Sequence, residues 1–536
     1  MDAGGPWPVT ADSGPWPLHG AAAAKALEAE ALSRHAPHLL MERAGLAVAR
    51  LARALAPCAR LVEVWCGPGN NGGDGYVAAR WLHCTGTPVR LVECGAPERL
   101  PGDAAAARQA ALEAGLVPTP LQQAWAAAPP GAGAPDLVID GLLGLGTSRA
   151  PGGPIAEAIG AIATRTAPVL AIDLPSGLHP DTGQPLGTAV VRAAHTVSLL
   201  TLKPGLFTGR GRDLAGAVWF DALGEAPAGP PAAEAAGMGS DRPAPPSSPA
   251  VPSPSSPTAW LARPARRAPL PHAAHKGSRG DAWVVGGAPG MVGAAWLAAR
   301  SALAAGAGRV FISTLGAGDE TAGTFDPARP ELMQRPLAAA LAQLVDNATV
   351  VAGCGGSQAV RAVLPELLAR APRLVLDADA LNHVAAAPEL LRLLRGRAGR
   401  GLRTVLTPHP LEAARLLGSD SAAVQADRIA AATALAERTQ CIVVLKGSGT
   451  VVAAPGRLPH INPSGNAALA TAGTGDVLAG WLGGLWAQAP AGDALVTACA
   501  AVWQHGHAAD MALARNAGRG APLLAADLVA TLAASA

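Results

Sequence analysis

The run from Gly224 to Pro257, GEAPAGPPAAEAAGMGSDRPAPPSSPAVPSPSSP, divides the sequence. Proline and glycine deny it helices and strand ladders, and it holds almost nothing to bury. It reads as a linker, which leaves two blocks that must each build their own core. The expected organisation is a first domain over residues 1–223, a linker over 224–258 and a second domain over 259–536. A chain of 536 residues is long enough for that division.

Within each block, short apolar runs alternate with Ala-rich amphipathic stretches, the pattern of βαβ units around a mainly parallel sheet. In the first block the runs are Leu61 to Trp65, Val89 to Val92, Leu137 to Ile139, Val169 to Ile172 and Thr196 to Leu200, with helices read over Gly75 to Cys84 and Pro154 to Thr164. The second block repeats the pattern at Ala282 to Val285, Arg309 to Ser313, Thr349 to Ala352, Leu374 to Leu376, Thr404 to Leu406, Ile442 to Leu445 and Thr450 to Val452. A local repeat, GPWP at Gly5 to Pro8 and Gly14 to Pro17, is assigned no function.

With 50% hydrophobic and 15% charged residues, disorder is excluded. A net charge of +2 is too small for a phosphate-backbone binder, so nucleic acid is set aside. The most apolar stretches, Met291 to Leu315 and Val477 to Val502, are broken by Arg300 and Arg309 in one and by Gln488, Pro490 and Asp493 in the other, so no membrane span is expected. The start of the chain lacks a basic region followed by an apolar block, so no secretory signal is read. Seven cysteines without a CxxC pair fit reduced thiols and a cytoplasmic setting. A homo-oligomer is compatible with all of this.

After the first strand comes Cys66-Gly67-Pro68-Gly69-Asn70-Asn71-Gly72-Gly73-Asp74-Gly75, whose glycines let backbone amides approach a ligand. It contains GxGxxG at Gly67, Gly69 and Gly72, with Glu93 ending the next strand, as in a nicotinamide dehydrogenase. Two asparagines and an aspartate crowd a pyrophosphate there, and a plain turn is the other reading. Two further strands end in acids, at Asp140 before DGLLGLGT and at Asp173 in DLPSG. Strand carboxyl ends line the crevice of an open α/β sheet, so these groups should converge there, although each Asp could equally be a helix cap. Asn, Asp and Ser oxygens suit a weakly held alkali or alkaline-earth cation.

Leu40-Met41-Glu42-Arg43-Ala44-Gly45, the GNNGGDG run, DGLLGLGT, DLPSG and Thr201-Leu202-Lys203-Pro204-Gly205 together resemble the YjeF N-terminal domain, the NAD(P)H-hydrate epimerase, over about residues 18 to 222. The resemblance implies that Asn70, Asn71, Gly72, Gly73 and Asp74, with Gly144, Leu145, Gly146, Thr147, Ser148, Arg149 and Ala150, hold the hydrated nucleotide. It implies that Asp173 touches the reacting part as a catalytic residue. It also implies that Asn71, Asp140 and Ser176 bind K+. Lys203 matches a Lys of that family, with a catalytic or positioning role as one reading and a surface Lys as the other.

The second block opens with His275 to Gly280, a strand, and Gly286 to Ala295 leading into a helix. Near its end stands Asn466 to Gly480, containing Gly473-Thr474-Gly475-Asp476. Glycines at a helix start form an anion hole of free N–H groups, and Asp476 is placed to accept a proton from a hydroxyl attacking phosphate. That is a phosphoryl-transfer arrangement, with a helix cap as the plain reading. Lys446-Gly447-Ser448-Gly449-Thr450 joins two expected strands and could grip nucleotide phosphates. His409 could contact substrate or be a bystander, and Asp377 and Asp379 could place substrate or magnesium or serve a turn.

These motifs, over about residues 272 to 515, resemble the ADP/ATP-dependent NAD(P)H-hydrate dehydratase, a ribokinase-like family. The resemblance implies that Ala294, Gly355, His409 and Asp476 meet the hydrated substrate. It assigns Lys446, Gly447, Ser448, Gly449, Thr450 and Gly475 to the adenine nucleotide. Gly353-Cys354-Gly355-Gly356-Ser357 departs from the family's usual GPGLG. The expected architecture is therefore a Rossmann-like three-layer α/β/α domain followed by a ribokinase-like α/β domain. The expected activity is R/S epimerisation of NADHX and NADPHX and dehydration of the S form with ADP and Mg2+. The alternative is a kinase of a vitamin or sugar hydroxyl with a nucleotide-binding N-terminal module.

Overall fold

A computed structural model describes residues 5–125, 134–225, 253–263, 271–316, 326–515 and 522–535. Most of the expected linker, residues 226–252, lies outside the described residues. The described chain forms two compact units. The first holds the residues up to Glu225 together with Ser253 to Leu261, and the second runs from Ala262.

The strands of the first unit are β1 (Trp7–Pro8), β2 (Trp16–Leu18), β3 (Val62–Cys66), β4 (Val89–Glu93), β5 (Thr119–Pro120), β6 (Leu137–Gly141), β7 (Val169–Ile172), β8 (His195–Leu199), β9 (Ala217–Asp221) and β10 (Ala259–Leu261). Its main sheet runs β1-β9-β8-β7-β6-β3-β4-β5, parallel except where β1 meets β9. Both GPWP motifs form edge strands: β1 pairs with β9, and β2 pairs antiparallel with β10. Of the helices, α1 (Ala21–Arg34), α2 (Leu39–Leu55), α3 (Asn70–Cys84) and α4 (Gly153–Ala163) bear on the site.

Side chains alternate across the sheet, as a pleat requires. Val62, Val64 and Cys66 of β3 enter a core with α2 and α3, whereas Trp65 enters one with α4. Three layers result, as expected. Strand order reverses between β3 and β6, and the helices that follow them, α3 and α4, pack on opposite faces of the sheet, which leaves a crevice beyond the strand ends.

In the second unit the strands are β11 (Asp281–Gly286), β12 (Arg309–Thr314), β13 (Met333–Gln334), β14 (Thr349–Ala352), β15 (Arg373–Leu376), β16 (Arg403–Leu406), β17 (Ile442–Leu445), β18 (Val451–Ala453) and β19 (His460–Ile461). They run in the order β13-β12-β11-β14-β15-β16-β17-β18-β19, parallel as far as β17 and antiparallel beyond it. Ala282 and Val284 of β11 face one core, and Trp283 and Val285 face the other. Here the order reverses between β11 and β14.

The helices that matter are α5 (Val292–Ala304), α6 (Asp379–Ala386), α7 (Pro410–Leu417) and α8 (Thr474–Gln488). α8 lies against α5 at backbone distance. A Cβ on Gly480 would stand 2.0 Å from the Ala298 carbonyl oxygen, and one on Gly484 2.3 Å from that of Ala302. The Ser301 hydroxyl donates to the Val477 carbonyl at 2.7 Å across the same seam. No described helix is long and apolar enough to cross a membrane.

Gly480→Val must push α8 off α5. It is expected to destabilise the second unit by about 2 kcal/mol, measured by denaturant unfolding, while the first unit's transition stays in place.

Candidate functional site

In the first unit a cleft of about 870 Å³ opens beyond the carboxyl ends of β3 and β6. Asn70, Asn71 and Asp74, the whole run Gly144 to Ala150, Asp173 and Lys203 line it. Asn70 to Gly75, read from sequence as a loop, instead form the opening turns of α3. Low helix propensity is overridden by contact here. A Cβ on Gly67 would fall 1.9 Å from the Leu142 carbonyl oxygen, and one on Gly72 2.0 Å from that of Gly67, so only glycines let the turn nest against β6. Gly72 and Gly73 therefore pack inward and hold the turn.

Asp140 and Ser176 sit fully buried behind this wall. The Asp140 carboxylate accepts from the Ser176 hydroxyl at 2.6 Å, the Ser176 amide at 2.9 Å and the Leu142 amide at 3.2 Å. Burial pushes its pKa up to about 6, against these hydrogen bonds. Asn71 is buried too, and its Nδ2 has no partner.

Asp173 holds a left-handed backbone, φ 66°, rare for a residue with a side chain. Its carboxylate ion-pairs with Lys203, which is only 2% exposed. The same ammonium donates to the carbonyls of Leu199 at 3.0 Å and Thr201 at 2.9 Å, so Lys203 is a buried member of the site and not a surface Lys. Glu93, the ribose partner in a dehydrogenase reading, is held by the Tyr76 hydroxyl at 2.7 Å and Arg108 at 2.5 Å.

In the second unit, Gly473 caps α8 with φ 88° and no side chain caps the helix. Asp476 is thus free of the capping role. Its carboxylate lies within 4.8 Å of Cys354 Sγ and an Asp377 carboxylate oxygen. Burial and the Asp377 charge raise its pKa to about 6. Burial and the two aspartates push the Cys354 thiol up.

Lys446 Nζ bonds Asp377 at 2.6 Å. Burial disfavours its charge, but Asp377 and Glu412 outweigh that and raise its pKa. Lys446 Nζ is also 3.4 Å from where Gly475 would carry a Cβ, so Lys446, Asp377 and the start of α8 meet. Gly355, φ 58°, would place a Cβ 3.0 Å from that of Ala294, which joins the two loops at the β11/β14 divergence.

Elsewhere in the second unit, Asp379 accepts from the Ser357 amide at 2.8 Å, a turn role. His409 caps α7: its Nδ1 accepts from the amides of Leu411 and Glu412 at 3.2 and 3.3 Å, and Glu412 faces its Nε2 at 3.1 Å. In the Lys446–Thr450 loop, the Thr450 hydroxyl turns back to the Gly447 carbonyl at 3.1 Å.

Residues 37–205 match the model for the YjeF-related protein N-terminus, and residues 282–532 match that for NAD(P)H-hydrate dehydratase. The bifunctional NAD(P)H-hydrate repair enzyme of Escherichia coli K12 is 38% identical over 92% of this chain and 88% of its own. That of Coxiella burnetii is 36% identical over 91% and 93%. The chain belongs to the bifunctional NAD(P)H-hydrate repair enzymes. A Bacillus subtilis ADP/ATP-dependent NAD(P)H-hydrate dehydratase, co-crystallised with ATP and Mg2+, is 28% identical over 51% of this chain and 92% of its own, with a TM-score of 0.42.

In this repair-enzyme chain, both halves of the family sit on one polypeptide, and each sheet carries its charged cluster at a strand-order reversal. Sequence reasoning missed Lys25 and Glu28 of α1, which also line the first cleft. They stand in an Ala-rich helix that no motif marks. It also missed His19, buried beside the β8 loop, whose pKa burial and Lys203 lower to about 4.

The raised Asp476 pKa has a definite sign. The folded state favours the proton, so this contribution to stability is full below 3.8 and is lost as pH rises through about 6. Asp476→Asn carries no such charge. Its stability relative to wild type is expected to climb by about 2 kcal/mol between low pH and neutrality, allowing for solvent screening, as read by denaturant melts across pH.

Proposed function

We propose that the first unit interconverts the R and S hydrates of NADH and NADPH, and that the second dehydrates the S form with ADP, giving AMP and phosphate. The observation that carries the reading is the meeting of Asp476, Gly475, Lys446 and Asp377 at the start of α8. It puts a carboxylate, an ammonium and free helix amides around one point.

Hydroxide leaves a ring carbon badly near neutrality, whereas phosphate leaves well. Asp476 accepts the proton of the C6 hydroxyl as that oxygen attacks the terminal phosphorus of the nucleotide. The amides of Gly473 to Gly475 stabilise the charge that develops on the phosphoryl oxygens. Loss of phosphate then restores the dihydronicotinamide. Asp377, held by Lys446, supplies hard oxygen that suits Mg2+, which when bound would offset charge on the nucleotide phosphates. Lys446 to Thr450 and Gly475 face the nucleotide, and Ala294, Gly355 and His409 the hydrated ring.

At the first site, Asn70, Asn71 and Asp74, with Gly144 to Ala150, hold the nucleotide, and Asp173 acts at the hydrated ring. The Asn71 carbonyl oxygen, with the buried oxygens of Asp140 and Ser176, is a hard-oxygen donor set that fits K+. All seven cysteines are free thiols, which supports a cytoplasmic setting.

The test is incubation with mixed NADHX epimers and ADP or ATP in turn, following the return of dihydronicotinamide absorbance. Consumption of nucleotide with release of a stable phosphorylated alcohol would support a hydroxyl kinase instead. Asp476→Asn is expected to lower dehydration by at least about 100-fold and to spare R/S interconversion. Asp173→Ala does the reverse, followed by chromatographic separation of the epimers.

A further inference from the structure

We propose that Glu28 of α1 is a further catalytic residue of the first site, giving its proton to the departing C6 hydroxyl while Asp173 serves the opposite face of the ring. The inference rests on the epimerase reading and adds a second proton-transfer group to it.

Glu28 lines the same cleft as Asp173, Lys203 and Asp74, yet it comes from a helix that ends before the matched N-terminal segment, residues 37–205, begins. Among the described residues no hydrogen bond or ion pair engages its carboxyl. Asp173, by contrast, is paired with the Lys203 ammonium. The two acids of one cleft are therefore prepared differently, one paired with a cation, the other unpaired.

The charged groups around Glu28 are Lys25 on its own helix, Asp74 on α3, Asp173 after β7 and Lys203 after β8, with Asp103 and Arg149 further along the cleft wall. Burial, followed by the Asp173 charge, raises the Glu28 pKa over the opposing effects of Lys203 and Lys25. Asp74 is raised further, by burial and then by Asp173 and Glu28. An unpaired carboxyl that holds its proton more tightly than usual, beside one paired with an ammonium, is the kind of unequal pair that acid–base catalysis uses.

The substrate is a carbinolamine, with hydroxyl and ring nitrogen on the same carbon. The Glu28 proton passes to the C6 hydroxyl, the C6–O bond breaks, and water departs with the bonding pair. The N1 lone pair closes a C6=N1 iminium. Water then adds to the other face of C6, forming the new C–O bond and passing its proton to Asp173. One water leaves and one enters, and nothing is oxidised or reduced. The protons now stand on Asp173 and not on Glu28, which is the state from which the reverse conversion starts.

The experiment uses the full chain with purified R epimer. Wild type is expected to interconvert the epimers, to place oxygen from labelled water in the C6 hydroxyl at the same rate, and to lose kcat as pH rises through the Glu28 titration. Glu28→Gln should lower kcat by about 100-fold or more with KM little changed, and should remove that alkaline limb. Glu28→Asp should restore part of the rate and the limb. Dehydration of the S epimer by the second unit, unchanged in each variant, shows that the chain is intact. A Glu28→Gln rate within about threefold of wild type, or a loss in KM alone with the limb intact, overturns the Glu28 assignment. A wild-type chain that interconverts nothing overturns the epimerase reading itself.

Discussion

Each candidate site is organised around one ammonium–carboxylate pair removed from bulk water, Lys203 with Asp173 and Lys446 with Asp377. Bringing two charges out of water is costly, and it holds only where the pair is tight and its remaining donors are satisfied. Both conditions are met at Lys203, whose other protons go to the Leu199 and Thr201 carbonyls. Once one carboxylate is ionised in each pocket, its neighbours must carry their ionisation against its field. The raised pKa values of Glu28, Asp74 and Asp476 follow from that and from burial.

The backbone that presents these groups is set by close approach of small residues. α3 nests on β6 through Gly67 and Gly72, and α8 lies on α5 through Gly480 and Gly484. A chain rich in Ala and Gly can thereby bring helix N-termini to the strand ends, where free amides and acids face a ligand together. Fully buried Trp65, Trp283, Trp481 and Trp486 fill the volume that small residues leave in the layers beside the sheets.

The central strands were legible because each is a short β-branched or Leu-rich run buried on both faces, as in Val169–Ile172 and Ile442–Leu445. Edge strands such as Trp7–Pro8, Thr119–Pro120 and Met333–Gln334 have two residues each, too few for any periodicity to register. The first turn of α3 was misjudged as loop because Asn and Gly are poor helix formers. Its contact with Gly67 outweighs that preference.

At the sites, Asp140, Asp173 and Asp476 and the run Gly144 to Ala150 were visible, since acids in or near glycine-rich turns are a local signal. The sequence by itself determined the two α/β domains, the motifs at their strand ends and the residue types available for phosphoryl transfer. Only the tertiary structure decided that Lys203 is buried on Asp173, that Cys354 stands beside Asp476, and that Glu28 enters the first cleft. Those facts depend on which distant segments meet. A charge's environment is a property of that meeting, which no local pattern of residues encodes.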